Sequence, residues 1–184
     1  GVLISGGGTN LQSLINNIKN GNINGEIVVV ISSKKDAFGL KRAERENIDA
    51  LFIDRKHCES DEDYNRKIIE ELKKRNVDLV VLAGYLKVLS EEFIREYPNR
   101  IINIHPSLIP SFCGKGYYGE RVHEEVLKYG VKYTGVTVHF VDVGTDTGPI
   151  ILQRIVEVKD DDTVKSLKER VLQVEHEILP EVVT

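Results

Sequence analysis

Cysteine is scarce in this chain. Cys58 and Cys113 are its only two cysteines, with no Cys-x-x-Cys spacing and no His-rich flank, which excludes a disulfide framework and leaves no structural zinc motif. Surplus positive charge is missing too. Lys and Arg number 25 against 29 Asp and Glu, a net of −4, and the two signs are interspersed, so no nucleic-acid partner is expected. The longest apolar runs, such as Ile27–Ile31 and Leu79–Ala83, fall far short of the ~20 residues that span a bilayer, and no basic stretch precedes an apolar leader. No membrane partner is expected, and the cytoplasm is the expected location. Repeats, low-complexity tracts and linkers are absent, so residues 1–184 are expected to form one domain, as a monomer or homodimer acting on small molecules. Gly1 stands directly before an apolar run, and the natural chain is expected to begin upstream of it.

With 41% hydrophobic and 29% charged residues, the chain can bury a full core and still solvate its surface. Continuous β-branched runs at Val2–Ser5, Ile27–Ser32, Ala50–Asp54, Leu79–Ala83 and Ile101–Ile104 are of strand length, and the first four are followed by segments of helical period. That order predicts a Rossmann-like, doubly wound α/β fold with a mostly parallel sheet between helix layers. Helices are expected over Asn10–Asn20, Phe38–Glu46, Asp61–Arg75, Ser90–Tyr97, Glu120–Tyr129 and Thr163–Val182, with Asn10, Ser90 and Thr163 as N-caps. Strands at Gly135–Val141 and Ile150–Val158, joined by an Asp/Gly turn, predict an antiparallel, hairpin-like addition before the long final helix.

Three constellations carry chemistry. Ser5-Gly6-Gly7-Gly8-Thr9-Asn10 lies between the first strand and the first helix. It reads either as a phosphate cradle, in which turn amides and the helix N-terminus hold an anion without any Lys, or as a plain strand-to-helix turn. No Gly-Lys-Ser/Thr follows, Leu11 stands where a third fingerprint glycine is required, and Ser32 and Ser33 replace the ribose-binding acid, so a monophosphate suits it better than a dinucleotide. The second is Asn103-Ile104-His105-Pro106-Ser107-Leu108-Ile109-Pro110. Alternation puts Asn103 and His105 on one side of a strand at the carboxyl edge, as an oxyanion-stabilising pair or as satisfied structural polar groups. The third runs from Thr137 through His139 to the turn at Asp142-Val143-Gly144-Thr145-Asp146. A carboxylate at Asp146 beside His105 would hold the imidazole charged, and the alternative is a turn aspartate. Thr137 and His139 read as support rather than chemistry. His105, His139 and Asp146 could together ligate a metal, but no helical His-x-x-x-His or Cys set accompanies them, and no metal is expected.

Taken together, the glycine loop, Leu82-Ala83-Gly84-Tyr85-Leu86-Lys87-Val88-Leu89, Asn103–Pro110, and Gly135–Val141 with Asp146-Thr147-Gly148-Pro149-Ile150-Ile151 resemble the phosphoribosylglycinamide formyltransferase family of folate-dependent enzymes. The resemblance covers essentially the whole chain in order. It implies transfer of a formyl group from 10-formyltetrahydrofolate, a cosubstrate, to the glycinamide amine of a phosphoribosyl substrate. It further implies Asn103, His105 and Asp146 as the catalytic trio, with Gly8, Thr9, Asn10 and Glu175 on the phosphoribosyl substrate. Arg66, Leu86, Lys87, Val88 and Leu89, together with Asn103 and Asp142–Asp146 (Asp142, Val143, Gly144, Thr145, Asp146), fall on the folate.

Departures from the family pattern are the longer Cys113–Gly119 segment and the loose match around Arg66. By its residues alone, Glu175 reads as a solvated helix charge. Related enzymes that formylate methionyl-tRNA or hydrolyse formyltetrahydrofolate share the Asn-x-His-Pro-Ser core, but the first is expected to need a further basic domain and the second an amino-terminal module. A non-enzymatic module binding a phosphorylated metabolite would need the glycine loop alone.

Overall fold

The computed structural model describes all 184 residues. The strands are β1 (Val2–Ile4), β2 (Val29–Ser32), β3 (Asp49–Phe52), β4 (Val80–Leu82), β5 (Ile101–His105), β6 (Tyr133–Phe140) and β7 (Ile150–Glu157). The helices are α1 (Thr9–Lys19), α2 (Phe38–Arg45), α3 (Asp61–Lys74), α4 (Glu91–Glu96), α5 (Glu120–Tyr129) and α6 (Val164–Val183). One seven-stranded sheet runs β3-β2-β1-β4-β5-β6-β7, with the first five strands parallel and β6 and β7 antiparallel. This is the doubly wound, mostly parallel sheet with an antiparallel carboxyl-terminal addition that the alternation of strand and helix signals predicts.

Strand residues alternate between two helix layers. Val2, Ile4, Val30, Val81 and Ile102 pack with Leu11 and Leu14 of α1, Leu40 of α2, Val126 of α5 and Val171 and Ile178 of α6. Leu3, Ile31, Val80, Leu82 and Ile101 face Ile68 and Leu72 of α3 and Phe93 of α4. Apolar side chains on both faces explain why these strands read as continuous hydrophobic runs rather than as alternating ones. Because the chain leaves β1 toward β2 on one side and returns to β4 on the other, the carboxyl ends of β1, β4 and β5 flank a topological switch point, where open α/β sheets bind ligands.

Ser90 and Thr163 cap their helices as predicted, accepting from the Phe93 and Ser166 amides. Asn10 does not. Helix α1 starts one residue earlier, behind Gly8 at φ 72°, because a left-handed residue without a Cβ turns the chain directly into the helix. The Asn10 side chain is thereby released for a contact with α6.

Candidate active site

The register of β5 against β6 pairs Asn103 with His139 and His105 with Thr137, so all four side chains gather where the parallel and antiparallel halves meet. Asp146 enters from the β6–β7 loop at φ 58°, a left-handed conformation that Asp tolerates better than most residues. Its Oδ2 lies 3.6 Å from His105 Nδ1 and accepts from the Gly114 amide at 2.9 Å. Its Oδ1 is 3.5 Å from Asn103 Nδ2 and 3.6 Å from His139 Nε2. Carboxylate, amide and imidazole thus converge from segments more than forty residues apart along the chain.

His139 orients the amide. Its Nδ1 lies 2.7 Å from the Phe140 carbonyl, which can only accept, so Nδ1 carries the proton and Nε2 is left to accept from Asn103 Nδ2 at 3.1 Å. Thr137 acts one step further out. Its hydroxyl donates to the Ser107 carbonyl at 2.7 Å and accepts from the Ile109 amide at 3.1 Å, pinning the loop that leaves His105. The Ile109–Pro110 peptide in that loop is cis.

The charge state of His105 differs from the sequence expectation. Burial pushes its pKa down, and although Asp146 and the Phe112 carbonyl push it up, the net falls below the ordinary histidine value. His105 is only 4% exposed, and desolvation of the cation outweighs a carboxylate 3.6 Å away. With Nε2 engaged at 2.9 Å to the Phe112 carbonyl, Nδ1 is the ring nitrogen open to a reacting group. Burial resists the charge of Asp146 as well, but the Gly114 amide that donates to it and the positive charge His105 carries when protonated hold its carboxyl below the usual range.

A cleft of about 320 Å³ opens beside the trio, walled by Leu82, Gly84–Leu89, Ile104, residues 114–119, Val141, Asp142 and Gly144–Asp146. Of the residues expected on the folate, Leu86, Lys87, Val88, Leu89, Asp142, Gly144 and Thr145 line it, together with Asn103 and Asp146. Val143 and Arg66 do not. Val143 turns outward and is 60% exposed, because Asp142 holds the loop closed through the Gly144 amide and the Thr147 hydroxyl. The Arg66 guanidinium pairs with Glu92 of α4 at 3.4 Å on the helix surface. Lys115, Tyr117 and Tyr118 join the lining from the long loop whose contacts the sequence leaves open. A larger cavity of about 560 Å³ lies at the opposite, amino-terminal end of the strands, around Val2, Val77 and Leu79, away from the trio.

The glycine turn stands two strands away, tied to the cleft through Ser5, whose hydroxyl accepts from the Leu86 amide at 2.9 Å. A Cβ at Gly8 would sit 2.6 Å from the Gly39 Cα, so α2 packs directly on the turn, while Cβ atoms at Gly6 or Gly7 would meet nothing within 4 Å. Asn10 donates to Glu175 Oε2 at 2.7 Å, and its Oδ1 is buried without a partner. Glu175 is therefore no solvated charge. Burial raises its pKa to about 7, with Asn10 opposing. A residue that sequence reasoning missed also touches the turn: Arg42 of α2 donates from Nε to the Gly7 carbonyl at 2.8 Å.

The formyl transferase family model matches residues 1–183. The chain is 42% identical over 99% of its length to a chloroplastic phosphoribosylglycinamide formyltransferase of Arabidopsis thaliana, covering 63% of that protein. It is 35% identical over 99% of its length to the phosphoribosylglycinamide formyltransferase of Bacillus subtilis, covering 91% of it. A crystal structure of glycinamide ribonucleotide transformylase 1 from Symbiobacterium toebii superposes with a TM-score of 0.94 at 46% identity, over 99% of this chain and 84% of that one. The chain spans about three fifths of the length of the plant relatives it matches.

Proposed function

The chain belongs to the formyl transferase family, and from that premise we propose that it transfers a formyl group from 10-formyltetrahydrofolate to the amine of phosphoribosylglycinamide in de novo purine biosynthesis. The observation that carries the reading is the Asp146 carboxylate, placed within 3.6 Å of His105, Asn103 and His139 at the mouth of the cleft. Apolar walls from Leu82, Leu89, Ile104 and Val141 beside the irregular segment 84–89 suit a flat pterin ring whose polar edge is read by main-chain groups. The bound folate supplies the formyl group on its N10.

Asn103 Nδ2 keeps its contact with His139 and turns its second hydrogen from the long 3.5 Å contact with Asp146 to the formyl oxygen as the amine attacks and charge develops there. His105 is neutral at rest, so its Nδ1 can accept the proton that the attacking nitrogen loses. Asp146 stabilises the imidazolium so formed, which faces the same oxyanion. His105 then returns the proton to the departing folate nitrogen as the carbon–nitrogen bond breaks. Gly8, Thr9, Asn10 and Glu175 receive the phosphoribosyl end, and a Glu175 carboxyl that keeps its proton to about pH 7 can both donate to and accept from sugar hydroxyls.

Incubation with 10-formyltetrahydrofolate, with and without phosphoribosylglycinamide, tests the proposal by the loss of the formyl group. Loss that requires the glycinamide is expected. Loss to water alone would identify a hydrolase, and none at all a binding module.

A further inference from the structure

We infer that Arg42 is the cation that holds the substrate's phosphate against the glycine turn, a role that rests on the phosphorylated substrate proposed above. The turn read alone has no positive side chain. The fold brings one from α2, because glycine at both 8 and 39 lets the two backbones touch: the Gly39 amide donates to the Gly6 carbonyl at 3.0 Å, and a Cβ at Gly39 would strike Ile4. Arg42 follows three residues after Gly39, on the same face of the helix.

Three contacts fix its side chain. Nε donates to the Gly7 carbonyl at 2.8 Å, Nη1 to Gln12 of α1 at 3.3 Å, and the guanidinium carbon lies 5.0 Å from the centre of the Phe38 ring. Unlike Arg55, Arg75 or Arg170, it faces no carboxylate, and Nη2 makes no hydrogen bond within the protein. A guanidinium held rigid by neutral partners, with its charge unneutralised and one edge free, is prepared for an anion that the protein does not itself provide.

The space beside it is shaped accordingly. Nothing occupies the volume over Gly6 and Gly7. His176 is pushed toward its neutral form by burial and then by the Arg42 charge, so the field of Arg42 reaches the α6 wall. A phosphomonoester carries about −1.5 to −2 at pH 7, whereas a helix N-terminus offers only about +0.5. Arg42 makes up much of the difference. Glu175 stays protonated to about pH 7 and adds little opposing charge below it.

The test pairs Arg42→Gln with Arg42→Lys in the intact protein and reads two things. Calorimetric binding of ribose 5-phosphate, with no folate present, is expected to weaken about 10- to 100-fold in the Gln variant and to recover in part in the Lys variant. The KM for phosphoribosylglycinamide should rise by the same factor, with kcat within about twofold and the folate KM unchanged. On the dephosphorylated glycinamide riboside, the parent and Gln variant should have equal kcat/KM. Unchanged ribose 5-phosphate affinity overturns the inference, and so does an equal loss on phosphorylated and dephosphorylated substrates, which would assign Arg42 a merely structural hold on Gly7. Should the Gln variant not fold, the Lys variant decides by whether it keeps affinity for ribose 5-phosphate above that of Arg42→Met. A parent that binds ribose 5-phosphate through Arg42 but transfers no formyl group would overturn the proposed function and leave the anion site standing.

Discussion

The two ends of the site are built on opposite plans. At the chemistry end, Asn103, His105, His139 and Asp146 come from β5, β6 and a distant loop, and most of their polar atoms are held by one another or by the backbone, leaving His105 Nδ1 for the reacting group. At the anion end, the framework is backbone and close glycine packing, and Asn10 Oδ1 and His176 Nε2 are left buried without partners. The first end is complete before substrate arrives, so it owes its function to a fixed arrangement of dipoles. The second centres on the Arg42 guanidinium, which is held by the Gly7 carbonyl and Gln12 and faces no carboxylate, so its charge is answered by what binds there. Losses at the first end should therefore fall on kcat, and losses at the second on KM.

The largest expected effect is at the complete end. Asn103→Ala removes a positioned donor, and single oxyanion donors are worth ~2.7–4 kcal/mol, so kcat should fall by about two to three orders of magnitude with little change in either KM. Steady-state kinetics with both substrates checks it, and a near-normal kcat would remove Asn103 from the oxyanion. Next comes Glu175. Its carboxyl is raised to about 7 in the fold from an ordinary 4.5, so the protonated form is the one the structure favours. The stability this contributes is complete below about pH 4.5 and is lost as pH rises toward 7, a change on the order of 3 kcal/mol. Glu175→Gln should flatten that limb, and urea melts of both proteins between pH 4.5 and 8 measure it. Burial of His105 and His123, the latter lowered to about 4, works in the other direction. Their contribution is complete above about 6.5 and is lost on acidification.

Much of this arrangement was legible in the sequence, and the parts that were not share a physical cause. The strand runs, the Ser90 and Thr163 caps and the facing of Asn103 with His105 follow from local rules of period and capping, and the structure matches them. Gly8 in place of Asn10 at the start of α1 was missed because the conformation of the turn, not the side-chain type, decides where the helix begins. The lowered pKa of His105 is not visible in the motif, because a neighbouring carboxylate can be read from spacing whereas the depth of burial is a property of the whole core. Glu175 read as solvated and Arg42 was not singled out for the same reason: each reaches the glycine turn from another helix. The spacing of Arg42 after Gly39 carried a weak signal, since a glycine early in a helix marks close backbone approach. Arg66, paired with Glu92, and Val143, on the outward turn of its loop, stand outside the cleft wall through tertiary contacts that no motif shows.

A smaller effect tests whether the anion end is as tightly built as the close contacts imply. Gly8→Ala puts a Cβ 2.6 Å from the Gly39 Cα at φ 72°, and both partners are backbone, so relief requires α2 to move off the turn. Left-handed strain alone costs roughly 1–2 kcal/mol. Thermal melts should register that loss, and the KM for phosphoribosylglycinamide should rise more than kcat falls. An equal drop in kcat would mean that the two ends are mechanically coupled through Ser5 and Leu86, contrary to the division drawn above.

The smallest effect is expected at the rim of the chemistry end, where the comparison makes its sharpest demand. Lys87 is exposed on the segment that lines the cleft and has no ion-pair partner in the protein, so it is free to meet the glutamate tail of a folate in solvent. Exposed pairs of this kind are worth about 0.2–1 kcal/mol, which sets the expected rise in folate KM for Lys87→Ala at about 1.5- to 5-fold. The change should shrink with added salt as the charge is screened, and kcat should stay the same because the group lies outside the fixed dipoles that act on the reacting carbon. A fall in kcat at saturating folate would show that the rim helps to shape the transition state, and the division between a complete interior and an adjustable edge would then be wrong at this end too.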